Sequence, residues 1–234
     1  VKNTDTWLYY TGSEPASNWM QPNFDAKNWT EGQGGFGYGD NDDNTIISST
    51  TAVYIRKVFY LIDTSVIRYA ILHADYDDGF VAYLNGVEIA RNNIGTPGTP
   101  PTYSSLANTY KEATLYSGGK PEDYPLDQAT LKSITKQGTN TLAIQIHNQS
   151  LSSSDLSSNF FLSLGVTDQS KNYRPTPNWF TAPNLGSTLP IVVITTINNA
   201  EITNEPKISA HMGIIDHGIN LLTDTYNGYD GAIA

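Results

Sequence analysis

Between residues 77 and 91 the chain reads Asp77-Asp78-Gly79-Phe80-Val81-Ala82-Tyr83-Leu84-Asn85-Gly86-Val87-Glu88-Ile89-Ala90-Arg91, and no other segment constrains the fold as much. An Asn-Gly pair between two apolar runs specifies a two-residue type I′ turn, because both central residues need positive φ. Phe80–Leu84 and Val87–Ala90 therefore form the arms of a β-hairpin. Two carboxylates and a flexible glycine stand where the first arm begins, which sets a polar rim at one end of a β-structure. That arrangement points to a binding module rather than a catalyst.

The flanking sequence keeps the same character. Trp7-Leu8-Tyr9-Tyr10 reads as a first strand, and Ala52–Leu61 (AVYIRKVFYL) is rich in β-branched and aromatic residues. Ile67–Ala74, Thr139–His147 and Asn159–Val166 read as further strands. Residues 31–40 carry too many glycines for a helix interior, and residues 92–125 read as a long loop rich in Gly, Pro, Ser and Tyr. Leu126–Ile134 is the one helical turn expected, opened by Pro125 or Asp127 and stopped before Gly138. About eight strands separated by turn signals, with almost no helix, predict an all-β fold, a β-sandwich.

Composition narrows the function. Charged residues are 15% of the 234, against roughly 25% in an average globular protein. The net charge is −10 and the few Lys and Arg are scattered, so the basic stripe that nucleic acid requires is missing. Anionic membrane surfaces are disfavoured for the same reason, and no stretch has the ~20 apolar residues of a spanning helix. There is no cysteine, which excludes disulfides and thiolate metal sites. Neutral sugars and divalent cations stay open as partners. The chain begins at Val1, which fits a removed signal peptide or a boundary within a longer protein.

The pattern changes at residues 168–188, which are Pro-rich and aperiodic and read as a linker. A new buried-type strand follows at Pro190–Thr196. The expected domains are a β-sandwich over 1–167, the linker over 168–188, and the truncated beginning of a second domain over 189–234.

Several motifs in order carry a resemblance. They are Trp29 with Gly35-Phe36-Gly37-Tyr38-Gly39-Asp40, Tyr54–Phe59, Asp77-Asp78-Gly79 with Tyr83-Leu84-Asn85-Gly86 and Arg91-Asn92, and Leu142–Asn148 followed by Ser153-Ser154-Asp155. Together, over roughly residues 5–167, they resemble a galactose-binding-domain-like jelly roll of large secreted bacterial proteins. The resemblance implies secretion or a cell-surface location, carbohydrate binding, and a structural calcium ion. The tail (Leu189–Thr195, Glu205–Ile208, Met212–Ile215 and Tyr229–Ile233) is similar to the start of a CotH-type domain, a family similar to atypical protein kinases. It implies a kinase-like parent whose nucleotide-binding lysine and catalytic aspartates have no counterpart here. The sandwich would then be an accessory binding module, or alternatively a spacer or docking module for a CotH-type kinase domain.

Candidate site residues follow from chemistry. Asp40, Asp42 and Asp43 offer hard oxygens to calcium, and the same Asp and Asn residues also suit a solvated turn. Asp75, Asp77 and Asp78 repel one another unless calcium or an arginine such as Arg56 or Arg91 lies nearby, while Asp78 can also shape the turn by accepting backbone N–H groups. Arg91 and Asn92 suit sugar hydroxyls, with an Arg91–Asp78 bridge as the structural alternative. His147 and Asp155 complete the expected ligand-binding set of Asp78, Arg91, Asn92, His147 and Asp155. A Ser153–His147–Asp155 triad lacks the G-x-S-x-G elbow that would expose its serine. The adjacent Asp pair is poor material for glycoside hydrolysis, which needs two carboxyls spaced across a sugar ring. Trp19, Phe24 and Trp29 are expected to plug one end of the sandwich, and Tyr103, Tyr110, Tyr116 and Tyr124 to offer a ring surface to sugars.

Overall fold

The computed structural model describes residues 1–39, 43–167, 174–180, 186–187, 189–197, 202, 205, 208–216, 220–221 and 231–233. The chain divides into two compact units, Val1–Pro175 and Thr176–Ala234.

The first unit contains β1 (Thr6–Thr11), β2 (Thr30–Gln33), β3 (Phe36–Gly37), β4 (Thr45–Ile46), β5 (Ala52–Leu61), β6 (Ile67–Tyr76), β7 (Gly79–Leu84) and β8 (Val87–Asn92). These are followed by β9 (Glu122–Leu126), helix α1 (Gln128–Ile134), β10 (Gly138–His147) and β11 (Ser158–Val166). A six-stranded sheet runs in the order β2-β1-β5-β10-β7-β8, and a three-stranded sheet in the order β11-β6-β9. Every pairing within the two sheets is antiparallel. From β5 to β11 the chain passes repeatedly between the large and the small sheet, so local hairpins and long crossovers alternate. The unit is an all-β sandwich.

The hairpin forms where the Asn-Gly signal places it. Asn85 has φ 53° and Gly86 φ 85°. Asn85 is tied down further: its Nδ2 donates to the Ile134 and Asn140 oxygens at 2.7 Å, and its Oδ1 accepts from the Thr141 amide at 2.8 Å. The turn is thereby anchored to α1 and β10. The helix is capped by Asp127, whose carboxylate accepts from the Thr130 amide at 2.9 Å. Leu131 is buried in the core on its inner face.

Residues pointing between the sheets form one core. Val53 and Ile55 of β5, Phe80, Ala82 and Leu84 of β7, and Leu142, Ile144 and Ile146 of β10 meet Leu72, Ala74 and Tyr76 of β6 and Phe160 and Leu162 of β11. The alternate residues of the large sheet are buried as well. Ala52, Tyr54, Val81, Tyr83 and Ala143 pack beneath Trp19, Met20 and Trp29 in a second cluster. An antiparallel sheet that is covered on both faces needs apolar side chains at successive positions, which is why β7 reads Gly-Phe-Val-Ala-Tyr-Leu without polar alternation.

One expectation fails in the stretch 92–125. Its end is a strand: β9 pairs with β6 and places Pro125 opposite Ile71. Proline lacks an N–H and is accommodated because β9 is an edge strand of its sheet.

In the second unit, β12 (Gly186–Ser187), β13 (Ile191–Thr196), β14 (Ala210–Ile215), β15 (Asn220–Leu221) and β16 (Gly231–Ile233) complete the series. β13, β14 and β16 form an antiparallel sheet in that order, and β12 pairs with β15. Most of the expected linker, residues 168–173, 181–185 and 188, lies outside the described residues.

Candidate functional site

Three chain segments converge where β6 ends. Asp75, Asp77 and Asp78 come from β6 and the turn into β7, and all three are buried. Asp75 accepts from the Thr114 and Leu115 amides at 2.7 and 3.0 Å. Asp78 accepts from the Lys111 amide at 2.6 Å through one oxygen and from the Gln149 amide at 2.7 Å through the other. These two carboxylates therefore fasten residues 111–115 to the end of the sandwich. Between them Asp77 donates its amide to the Ser157 carbonyl at 3.0 Å, which fixes the segment leading into β11.

The consequence is an acidic cluster that no local motif encodes. One carboxylate oxygen each from Asp77, Glu112 and Asp155 lies within 4.8 Å of the other two. Asp77 is 3% exposed, and its Oδ1 is buried without a hydrogen-bond partner. Burial first, and then the negative charges of Asp78, Asp155 and Glu112, push the Asp77 carboxyl up to about 9. Lys111, the neighbour of Glu112, turns its ammonium to Glu122 at 3.5 Å and over the Tyr76 ring at 4.0 Å.

The structure distributes the other expected site residues differently. Arg91 forms a bidentate pair with Glu88 at 2.9 Å and also donates to the Ile94 and Thr99 carbonyls. It makes no bridge to Asp78, because the bulge at Ile89, where the β7–β8 register shifts, turns Glu88 to the same side as Arg91. Asn92 donates to Glu122 at 3.2 Å and to the Tyr124 hydroxyl at 2.9 Å. Asp155 accepts from the Ser154 hydroxyl at 3.2 Å and faces the acidic cluster. Arg56 lies on the outer face of the large sheet, where it donates to the Trp19 carbonyl and, at 3.1 Å, to that of Gln21. Neither arginine is the counter-charge expected for the aspartates.

His147 is fully buried on that outer face. Its Nδ1 lies 2.9 Å from the Ser105 carbonyl and its Nε2 3.2 Å from Gln145 Oε1, so its ring partners are neither Ser153 nor Asp155. Burial lowers the His147 ring to about 4 despite the Ser105 hydrogen bond. The expected result is an imidazole that stays neutral through the ordinary histidine range near 6.5 and protonates with a midpoint near 4. Ring chemical shifts followed by NMR as pH falls would check this, and a midpoint above 6 would contradict the burial.

Asp40 and Asp42 of the expected metal loop lie outside the described residues. Asp43 is partly buried, and a Cβ added at Gly37 would come within 2.6 Å of its Oδ2. At Gly39 a Cβ would lie 2.8 Å from the Cα of Asp155, so Gly39 itself sits beside the acidic cluster.

The aromatic residues separate into two groups. Trp19 and Trp29 are buried, and Phe24 packs against them partly buried. Tyr103 packs against the same cluster and Tyr124 joins the Glu122 network, whereas Tyr110 and Tyr116 are exposed. Phe24 and Trp29 also line an open cavity of about 550 Å³ with Lys27, Glu31, Arg56 and Val58. The Arg56 guanidinium stands 5.2 Å from the Phe24 ring centroid. Burial pulls Arg56 down to about 10, which leaves it charged at neutral pH. Sequence reasoning missed this cavity because Pro22, Phe24, Ala26, Lys27 and Trp29 of its lining sit in an aperiodic segment, and the only signal was the spacing of Trp19, Phe24 and Trp29.

No family model matches the chain. No curated protein matches it either. Among solved structures, it is similar to a glycosyl hydrolase family 2 member from Bacteroides cellulosilyticus, at 12% identity and TM-score 0.44, over 100% of this chain and 30% of that one. A calcium-binding mutant of Bacteroides uniformis β-glucuronidase 2 is 12% identical with TM-score 0.40, over 92% of this chain and 21% of that one. A β-glycosidase from Bacteroides vulgatus is 11% identical with TM-score 0.38, over 92% and 28%. The chain thus spans less than a third of the length of each, and at this distance neither their activities nor their sites transfer to it.

Proposed function

We propose that the Val1–Pro175 unit is a non-catalytic carbohydrate-binding module of a larger, secreted or surface-attached bacterial protein. The observation that carries this reading is the open cavity on the outer face of the large sheet. There the Phe24 ring stands beside the planar Arg56 guanidinium, with Trp29, Lys27 and Glu31 also in the lining. A sugar ring has apolar C–H faces that pack on aromatic rings and a hydroxyl perimeter that needs charged or planar donors and acceptors. The partly buried Phe24 ring offers the apolar face and the exposed Lys27 and Glu31 side chains the polar groups, in a cleft of the size that small ligands occupy. Among the described residues, the Ser153–His147–Asp155 combination set aside in the sequence is not assembled, because His147 is turned to Ser105 and Gln145.

The module precedes a separate compact unit, and the finer reading of residues 189–234 is the beginning of a CotH-like domain whose parent is a kinase-like protein. What supports it is the sequence similarity of the tail, with the strand Ile191–Thr196 among its residues.

The test is affinity electrophoresis of the whole chain through gels that contain neutral plant and microbial polysaccharides. Retardation by at least one of them is expected. Uniform free migration through a broad panel overturns the carbohydrate reading and leaves the spacer role.

A further inference from the structure

We propose that Asp77, Glu112 and Asp155 hold a calcium ion that ties together the end of β6, the loop before β9 and the segment leading into β11. The inference does not depend on the carbohydrate reading, since the cluster and the aromatic cavity share no residue.

Two independent observations carry it. The first is geometric. The three ligand oxygens lie within 4.8 Å of one another, and a calcium ion held at about 2.3–2.6 Å from each oxygen permits separations up to roughly 4.6–5.2 Å. Magnesium, held at about 2.0–2.1 Å in near-ideal octahedral geometry, is suited to a tighter set. The second is the orphaned oxygen. Asp77 Oδ1 is buried and has no hydrogen-bond partner, in a structure where the neighbouring Asp75 and Asp78 carboxylates are each satisfied by two backbone amides. A buried carboxylate oxygen without a donor is costly, and an oxygen-seeking cation removes that cost.

The surroundings are built for such an ion. Asp75 and Asp78 lie on either side of Asp77 in the chain, and both spend their charge on residues 111–115 or 149, which sets Glu112 opposite Asp77. Glu112 and Asp155 are only partly buried, so the cluster is open to solvent on their side. Lys111 directs its ammonium to Glu122, away from the role of counter-ion to the cluster. Three carboxylates from residues 77, 112 and 155 converge without a shared motif or sequence proximity.

Calorimetric titration of the chelator-stripped, full-length chain with calcium chloride tests the inference. One calcium ion is expected to bind, and at about 100 times its Kd to raise the thermal midpoint by about 5–10 °C. Glu112→Gln and Asp155→Asn, both at partly exposed positions, are each expected to weaken calcium about 10-fold or more while the chelated proteins keep the wild-type midpoint. Asp77→Asn is expected to abolish binding and to leave the chelated protein at least as stable as wild type, because it removes a buried carboxylate from among three others. Absence of calcium binding by the wild type, or binding that none of the three substitutions weakens, overturns the assignment. Equal affinity for magnesium overturns the choice of calcium.

Discussion

Replacing Trp19 by Ala is expected to lower the unfolding free energy of the sandwich by about 3–5 kcal/mol. Trp19 is 3% exposed and belongs to no helix or strand. Its ring stands edge-on to Tyr54 at 5.1 Å and Tyr83 at 5.9 Å, and stacks on Trp29 at 6.0 Å. Its carbonyl also receives the Arg56 guanidinium, which has only carbonyl hydrogen-bond partners there and is buried with it. Truncation removes the transfer free energy of the indole and leaves a cavity over strands that hydrogen bonds hold in place, so little collapse can offset it. Urea denaturation gives the value directly: the midpoint should fall with little change in slope. A loss under about 1 kcal/mol would show that the outer face of the large sheet does not depend on its cover.

Asp78→Ala is expected to cost about 3–5 kcal/mol, since two backbone amides on different segments lose a charged acceptor worth roughly 1.5–3 kcal/mol each. Asp78 is 1% exposed, and its partners are the amides of Lys111 and Gln149. Relief of repulsion with Asp77 offsets part of the loss and places the result toward the lower end of that range. The diagnostic is local. Hydrogen exchange at the Lys111 and Gln149 amides should accelerate more than exchange within β5 and β10. Unchanged protection at both amides would mean that the loops are held by something else.

How legible the molecule was differs from element to element, for physical reasons. The β7–β8 hairpin was legible because only a few residues tolerate positive φ, and Asn85-Gly86 announces it locally. The structural reading of Asp78 was legible for a similar reason: an aspartate beside a glycine at a strand end is well placed to accept backbone amides. β9 was not legible, because Pro125 and the polar residues before it read as loop, and an edge strand tolerates both. The double burial of the large sheet was partly visible in the unbroken apolar run of β7. The cover itself was not, because residues 14–29 form turns and carry no period. The acidic cluster shows the limit most clearly. Asp77 stood in a conspicuous group and Asp155 was singled out for other reasons. Glu112 lies in a loop with no motif and joins them only through the amide clamps of Asp75 and Asp78.

In the proposed function the sugar is received by the aromatic cavity beside Arg56. Affinity electrophoresis of Phe24→Ala beside the wild type, in the polysaccharide that retards the wild type most, tests that claim directly. Phe24 is partly buried and lines the cavity, so its removal strips one ring contact, and circular dichroism checks that the fold persists. The expected result is about a 10-fold loss of affinity, the equivalent of roughly 1.4 kcal/mol for one ring face. Undiminished retardation of a folded Phe24→Ala protein would contradict the claim.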